Sequence, residues 1–315
     1  MPVPVTVDNY VRAETDKVFA AYSQRAFGTF LHYRELAPLD DQNVQRANRD
    51  TLYSVSLFDL DAGPVTFTMP DPGQGFMSLT PFSEDHYTTG SVYGPGEHTF
   101  SRDDVGTRYA LFALRTFVDP NDPADVARAH ALQDAVGVRQ AAGGTFTVPD
   151  WDQVVRQKLA DALSVLGATL ADWRGASGVA GEVDPIRHLI ISATGWGLNL
   201  PRDAIYLNVS PERNDGQTVY RLHVREVPVD GFWSVSVYNT EGYFQSNPQD
   251  AYSINNITAQ KEADGSVTIQ FGGCGDGVPN CLPIMPGWNY TVRLYRPRPE
   301  ILDDTWTFPE AQPVG

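Results

Sequence analysis

A motif that occurs twice, in the same order, constrains the fold of this chain more than any other feature. Residues Arg49–Tyr53 (RDTLY) recur as Arg202–Tyr206 (RDAIY). Farther along, Gly75–Phe82 (GFMSLTPF) recurs as Gly231–Tyr238 (GFWSVSVY). The two offsets differ by only three residues, and each half has an amphipathic helical segment upstream of its motifs. The conserved order and spacing indicate a divergent internal duplication.

The repeated halves read mainly as β-structure. Apolar and polar residues alternate, as in half-buried strands, over residues 65–69, 220–224, 233–237, 267–271 and 290–294. Helical spacing is limited to residues 8–36, 124–135 and 151–173, and the apolar stripe from Trp151 to Trp173 is expected to pack on a sheet. Because many strands follow one another without helices between them, a doubly wound parallel sheet is not expected. We predict a mainly β protein with helical segments (α+β), with domains at 1–147 and 148–315.

Charge and hydropathy limit the partners. The chain has 23 Lys plus Arg against 39 Asp plus Glu, a formal net charge of −16. This excess repels nucleic-acid phosphates and anionic lipid head groups, so neither nucleic acid nor a membrane is an expected partner. No apolar run is long enough to span a bilayer, and the N-terminus lacks the features of a secretory signal. The expected location is the cytoplasm.

The two cysteines, Cys274 and Cys281, lie in a glycine-rich segment. They could form a disulfide in an oxidising compartment, but they provide neither a disulfide framework nor the four-ligand spacing of a structural zinc site. Free thiols are the favoured interpretation.

The same motifs carry a family resemblance. Residues 48–54 (NRDTLYS) resemble the bacterial domain of unknown function 1254. Residues 195–197 (GWG), 230–234 (DGFWS) and 294–297 (LYRP) resemble its C-terminal companion, domain of unknown function 1214. The sequence departs from the family pattern at Asn280–Pro283, where Cys281 stands in place of a tryptophan, and it is shorter around 82–100. The resemblance implies two jelly-roll-like β halves, with no agreed activity.

The first candidate site is the repeated Arg–Asp–Tyr motif, formed by Arg49, Asp50 and Tyr53 in one copy and Arg202, Asp203 and Tyr206 in the other. An Arg–Asp couple with a tyrosine could bind a carboxylate or sugar hydroxyls, or transfer a proton. The structural alternative is an ion pair that fixes the entry of a strand. It is favoured, because a fold-defining turn is more often retained in both copies than a catalytic group.

A second candidate is a run of aromatic and amide side chains of the kind that line a pocket for a sugar or a small cyclic ligand. The run consists of Trp233, Tyr238, Tyr243, Asn247, Tyr252, Asn255 and Asn256. Strand alternation places Trp233 in the core and leaves Tyr238 freer, on the other face. We select Tyr238, Asn247 and Tyr252 as ligand-binding candidates.

The third candidate is His86, next to Tyr87. In the alignment of the two copies, Asp85–His86 stands where the second copy has Glu241–Gly242, so only one copy has an imidazole. Histidine suits proton transfer near neutral pH. We predict that His86, with Asp50 or Tyr53, lines a pocket at the junction of the halves. The histidines lack metalloprotease or cupin spacing, and we predict neither a metal nor a cofactor.

Three classes of function are compatible with these observations. The first is a hydrolase or lyase that acts on a small polar metabolite in a cleft between the halves, with His86, Asp50 and Tyr53 as catalytic residues. The second is a non-catalytic protein that binds a small ligand or glycan, and the third is a scaffold. The expected partner is a small-molecule ligand, and assembly as a homo-oligomer is left open.

Overall fold

The computed structural model describes residues 1–42, 45–170, 172–275 and 277–314. The chain divides into two compact units. Unit 1 contains Met1–Arg34, Tyr53–Thr116 and Ala127–Leu200, and unit 2 contains Glu35–Leu52, Phe117–Val126 and Pro201–Gly315. Each unit therefore draws on separate stretches of the chain.

The helices of the described residues are α1 (Tyr10–Ala26), α2 (Arg102–Val105), α3 (Pro123–Asp134), α4 (Gln153–Gly167), α5 (Pro185–Thr194) and α6 (Pro299–Leu302). The predicted helix at 8–36 is wrong over its last third. Phe27 is extended, Gly28 takes a positive φ of 72°, and the chain then enters a strand. The aromatic spacing after Ala26 comes from residues that contact a sheet. Helix α5 was not predicted. Its N-terminus is capped by Asp184, whose carboxylate accepts hydrogen bonds from the backbone N–H groups of Ile186 and Arg187.

Helix α4 buries its apolar stripe against other helices, and the prediction that it packs on a sheet is wrong. Leu163 lies in a cluster with Val5, Tyr10 and Ala13 of the N-terminal region and Ile190 of α5. A stripe on a helix shows that one face is buried but does not identify the partner. The helix also ends at Gly167, earlier than the predicted Trp173. Ala171, within the predicted extension, lies outside the described residues.

Unit 1 holds two sheets. Its strands are β1 (Leu31–His32), β2 (Thr51–Asp59), β3 (Val65–Met69), β4 (Met77–Ser83), β5 (Val92–Tyr93), β6 (Gly96–Phe100), β7 (Tyr109–Phe117) and β8 (Gly137–Gln140). They form sheets in the orders β1-β2-β7-β4-β5 and β6-β3-β8. Phe67 of β3 packs with Phe58 of β2 and Phe112 of β7, so the sheets share an aromatic core.

Unit 2 also holds two sheets. Its strands are β9 (Ala204–Val209), β10 (Tyr220–Val224), β11 (Trp233–Tyr238), β12 (Ser253–Asn255), β13 (Val267–Phe271), β14 (Cys281–Leu282), β15 (Asn289–Tyr295) and β16 (Gln312–Pro313). The orders are β12-β11-β15-β9 and β14-β13-β10-β16, and all pairs in this unit are antiparallel except β13 with β14. The five strands predicted from alternation are present, which confirms a mixed α+β protein with sheets in two halves.

The two faces of β11 differ in chemistry. Trp233, Val235 and Val237 point into the apolar core between the sheets of unit 2. On the other face, Ser234, Ser236 and Tyr238 are also buried, so this side of the sheet forms a second, polar interior. The prediction that Tyr238 is the freer residue is wrong, because its exposed fraction is 0%.

Cys274 and Cys281 form a disulfide, so the favoured free thiols are a wrong prediction. The reason is the backbone pairing. Gln270 lies opposite Cys281 in the parallel pair of β13 and β14, and the loop after β13 folds back until the two Cα atoms are 5.6 Å apart. This approach is set by strand pairing that the local sequence does not show.

Candidate functional site

Arg293 of β15 is the centre of a buried polar cluster in unit 2. Its Nη1 donates to Ser236 Oγ at 2.9 Å, and its Nη2 donates to Tyr238 Oη at 2.6 Å and to the carbonyl oxygen of Arg46 at 2.7 Å. Burial alone would lower the pKa of Arg293, but the nearby Tyr238 and Asp50 outweigh burial and raise it. The guanidinium is permanently charged and both of its terminal nitrogens donate hydrogen bonds, so it fastens residues 46–47 to the sheet.

Asp50 extends this cluster. Its Oδ1 accepts hydrogen bonds from Ser253 Oγ at 2.9 Å and from Asn255 Nδ2 at 3.4 Å, both on β12. The side chain is 1% exposed, and its Oδ2 has no hydrogen-bond partner among the residues that the structure describes. Asp50 thus anchors the residues that lead into β2 through its hydrogen bonds to β12.

Arg49 is held differently. Its guanidinium carbon lies 5.1 Å from the ring centre of Tyr252 and 5.9 Å from that of Phe244. Its Nη1 donates to the carbonyl oxygen of Ala37 at 2.7 Å, the one side-chain hydrogen bond that it makes within the described part of the chain. Burial is the main influence and lowers the pKa of Arg49, although Asp250 opposes it. Arg49 is half-buried. Its guanidinium is held against two aromatic rings, and its other side-chain N–H groups donate to no residue that the structure describes.

Arg46 adds a second half-buried cation. Its Nη1 donates to Asn289 Oδ1 at 2.8 Å and to Thr291 Oγ1 at 2.9 Å, and its guanidinium lies over the Tyr238 ring. Burial lowers the pKa of Arg46, and the neighbouring Arg293 lowers it further. In a chain of net charge −16, this local excess of cations favours an anionic ligand.

His86 is buried in unit 1. It follows β4 in a tight turn, with a left-handed φ of 61° and an exposed fraction of 0%. Its Nε2 accepts a hydrogen bond from the backbone N–H of Gly197 at 2.9 Å. Burial, assisted by nearby His188, lowers the pKa of His86 to about 3. The ring is therefore neutral near pH 7, with its proton on Nδ1, which has no partner among the described residues.

His86 belongs to a stack of rings. The His188 ring centre lies 5.4 Å from that of His86 and 4.5 Å from that of Tyr87, and Trp196 lies on the other side of His86 at 5.2 Å. His188 Nδ1 faces the carbonyl oxygen of Ala176, and its Nε2 faces that of Asp85. These two contacts hold the His188 ring between separate loops of unit 1. The stack connects loops of unit 1, buries the His86 ring and covers one face of the Tyr87 ring.

An acidic group on α1 was missed in the sequence. Asp16 is 1% exposed, and its Oδ2 accepts a hydrogen bond from Trp151 Nε1 at 2.8 Å. Burial raises the pKa of Asp16 to about 6. Its Oδ1 has no partner in the described residues. The sequence carried no signal for this group, because the burial of Glu14, Thr15 and Asp16 becomes apparent only in the structure.

The remaining predicted residues serve diverse local roles. The guanidinium carbon of Arg115 lies 5.3 Å from the ring centre of Tyr53. Tyr206 lies opposite Arg293 in the pairing of β9 with β15, and the carbonyl oxygen of Asp203 accepts a hydrogen bond from the backbone of Arg296. Arg202 is exposed. Asn247 closes a turn through two hydrogen bonds with the backbone of Ala251.

The predicted set is thus distributed over both units. Arg49, Asp50, Tyr238 and Tyr252 belong to unit 2, whereas Tyr53, His86 and Tyr87 belong to unit 1. Within the ranges that the structure describes, no three or more His, Cys, Asp or Glu side chains are placed to hold a metal ion. None of the described helices has both the length and the apolar character needed to cross a membrane.

Comparisons with known proteins agree with the resemblance seen in the sequence. Residues 27–99 match the family described as Protein of unknown function (DUF1254), and residues 205–299 match Protein of unknown function (DUF1214). No curated protein matches the chain.

Two solved structures share the fold. The VPA0106 protein from Vibrio parahaemolyticus is 17% identical, with a TM-score of 0.75 over 98% of each chain. An uncharacterized protein from Burkholderia cenocepacia is 13% identical, with a TM-score of 0.54 over 97% of this chain and 86% of that one. At these identities the likeness concerns the fold alone.

Proposed function

We propose that this member of the DUF1254 and DUF1214 families binds a small carboxylate without transforming it, and that Arg49 captures the ligand. The observation that carries this proposal is the guanidinium of Arg49, which is fixed on Tyr252 and Phe244 while it donates only to Ala37 among the described residues. A planar guanidinium that is already held in place loses little conformational entropy when it binds a carboxylate through two hydrogen bonds.

The rings favour a carboxylate over a glycan. A sugar would stack on an exposed aromatic face, but Arg49 lies over Tyr252 and Phe244, and Arg46 and Arg293 lie over Tyr238. Tyr87 is similarly stacked on His188. The charges of Arg46 and Arg49 suit an anion instead.

Hydrolase or lyase chemistry through His86 has less support. A general base needs a free nitrogen lone pair within reach of the substrate. In His86 that lone pair accepts the N–H of Gly197, and the side chain is buried with a pKa of about 3. Asp50 is likewise bonded to β12. These contacts support roles in the fold for both residues.

Isothermal titration with succinate tests the proposal, with succinamide as its uncharged counterpart. We expect Arg49→Gln to weaken succinate binding by about tenfold or more, because a charged hydrogen-bonded contact contributes about 1.5–3 kcal/mol. Arg139→Gln is the matched control, since the Arg139 side chain is 73% exposed in unit 1. Equal loss in both variants, or equal binding of succinamide, would contradict a carboxylate site at Arg49.

The disulfide bears on where the protein works. Cys274–Cys281 favours an oxidising compartment, because cytosolic thiols are kept reduced. This observation is at odds with the cytoplasmic location expected from the sequence. A nucleic-acid partner remains unexpected for a chain of net charge −16.

The internal duplication is part of the same proposal, with repeats at 1–147 and 148–315. It is supported by strand order: β2-β7-β4-β5 in unit 1 corresponds to β9-β15-β11-β12 in unit 2, and β6-β3-β8 corresponds to β13-β10-β16. In the strand registers, Arg115 lies opposite Ser78, as Arg293 lies opposite Ser234. A superposition of the units that fails to bring β4 onto β11 would contradict common descent and the jelly-roll-like description of both halves.

A further inference from the structure

Helix α4 presents two large apolar side chains to solvent. Val154 is 66% exposed and Val165 is 70% exposed, although an apolar contact would stabilise either valine. Their separation in the sequence corresponds to about three turns of an α-helix, so both project from the same side of α4. Arg156 and Leu163 lie on the opposite side and are buried. The two valines therefore mark the line of α4 that lies farthest from the core.

Two charged side chains lie between the valines on this line. Lys158 and Asp161 are both exposed. The four positions follow one another at intervals of four, three and four residues, which is the spacing of the positions that meet in a coiled coil. At about 100° of rotation per residue, they fall within an arc of roughly 60°. We call Val154, Lys158, Asp161 and Val165 the α4 stripe.

The α4 stripe is complementary to itself in the antiparallel direction. A two-fold axis level with the midpoint between Leu159 and Ala160 places Val154 opposite Val165 of a second copy. The same axis places Lys158 opposite Asp161 of the second copy, because both pairs have the same midpoint. One register therefore satisfies the apolar and the charged contacts together. A parallel pairing would instead set each charge against its own kind, which disfavours association.

The local charge permits such a contact in a strongly acidic chain. Two copies that each have a net charge of −16 repel one another, so a contact between them has to be locally neutral. Lys158 and Asp161 supply one charge of each sign. The third charged residue of α4, Arg156, is buried and paired with Glu14. The exposed face of α4 is therefore neutral as a whole.

We infer that a second copy of this chain docks on the α4 stripe, and that the two helices pack antiparallel in a symmetric dimer. A contact confined to one helix from each copy is smaller than a standard protein interface, so the dimer should be weak, with a Kd of about 0.1 mM. No residue of the α4 stripe takes part in the proposed Arg49 site, so the two proposals can fail separately.

Sedimentation equilibrium of the complete chain between about 10 μM and about 1 mM tests the inference, and the wild type should pass from monomer to mainly dimer over this range. Lys158→Glu should raise the Kd about tenfold or more, because the symmetry sets two pairs of like charges against each other. Lys261→Glu is the matched control. It makes the same change of charge at an exposed position of unit 2 and should alter the Kd by less than about twofold.

A mixture of two variants tests the direction of the pairing. Asp161→Lys alone should weaken the dimer as Lys158→Glu does, but an equimolar mixture of the two should associate as the wild type does, because every charge then faces its opposite. A wild type that stays monomeric at about 1 mM, roughly ten times the expected Kd, would overturn the inference and leave a different protein as the occupant of the stripe. A mixture that associates no better than either variant alone would also overturn it, as would equal effects of Lys158→Glu and Lys261→Glu.

Discussion

The Nε2 atom of His86 accepts the backbone N–H of Gly197 at 2.9 Å, and this bond fixes the ring in its neutral form. The same contact removes the lone pair that a general base would use. His86 was the residue with the strongest catalytic argument in the sequence, and its environment supports a role in joining loops of unit 1.

Acid should destabilise the protein through His86. The unfolded side chain has a pKa of about 6.5, whereas in the folded protein the pKa is about 3. Between these two pH values the unfolded state binds a proton that the folded state does not, so stability falls as the pH drops, by up to about 5 kcal/mol. His86→Asn, which tolerates the left-handed backbone, should remove this dependence in urea unfolding from about pH 7 to pH 4. His223→Asn, on an exposed position of β10, is the control, and a slope in His86→Asn as steep as that of the control would refute the assignment.

Asp16 should act with the opposite sign. Its pKa is raised to about 6 in the folded protein, against about 3.9 when unfolded, so stability falls as the pH rises from about 4 to about 6. Asp16→Asn still offers an oxygen to Trp151 Nε1. It should therefore be more stable than the wild type by about 3 kcal/mol at pH 8, a gain that disappears near pH 4. If urea unfolding showed the wild type and Asp16→Asn to be equally stable at both pH values, the Asp16 carboxylate would have to be solvated.

Leu163 should be the most sensitive position on α4. Its side chain is 7% exposed among Val5, Tyr10 and Ile190, so Leu163→Ala should lower the free energy of unfolding by about 2–5 kcal/mol. Val165→Ala on the same helix, where Val165 is 70% exposed, should cost less than about 0.5 kcal/mol. A loss below about 1 kcal/mol for Leu163→Ala would show that this face of α4 is not a core.

The disulfide predicts a simple thiol count. Protein purified without reductant should show no reactive thiol when unfolded in the presence of a thiol reagent, and both cysteines should react after reduction. Cys274→Ser, as a control, should expose one thiol at Cys281. Two reactive thiols in the unreduced wild type would exclude the bond and remove the argument for an oxidising compartment.

Much of the β-structure could be predicted from the sequence because burial of one strand face leaves a local signal. Val267–Phe271 alternates between buried and half-buried side chains, as its sequence does. The end of α1 could not be predicted in this way, because Phe27 and Leu31 have helical spacing but contact strand β2. The end of α1 is set instead by pairing with β2, which is distant in the sequence.

The candidate site was predictable only in part, for a similar reason. The sequence identified Arg49, Asp50, Tyr238 and Tyr252, and the structure places them in one unit. It did not indicate Arg293, because an arginine in an alternating strand is expected on the solvent side, nor Arg46, which lies in a turn outside any strand. The burial of Arg293 depends on hydrogen bonds to the hydroxyl groups of Ser236 and Tyr238 and to the backbone oxygen of Arg46, which is distant in the sequence.

The central claim concerns the free donors of Arg49, and the side-chain Nε–H signal of that residue tests it most directly. Nitrogen-15 NMR can follow this signal, identified by its absence in Arg49→Gln, while succinate is added. We predict that it shifts progressively and saturates, that the Nε–H signal of Arg139 stays in place, and that succinamide moves neither. An Arg49 signal that does not respond to succinate, or that moves no more than the signal of Arg139, would contradict the proposal that Arg49 binds a carboxylate.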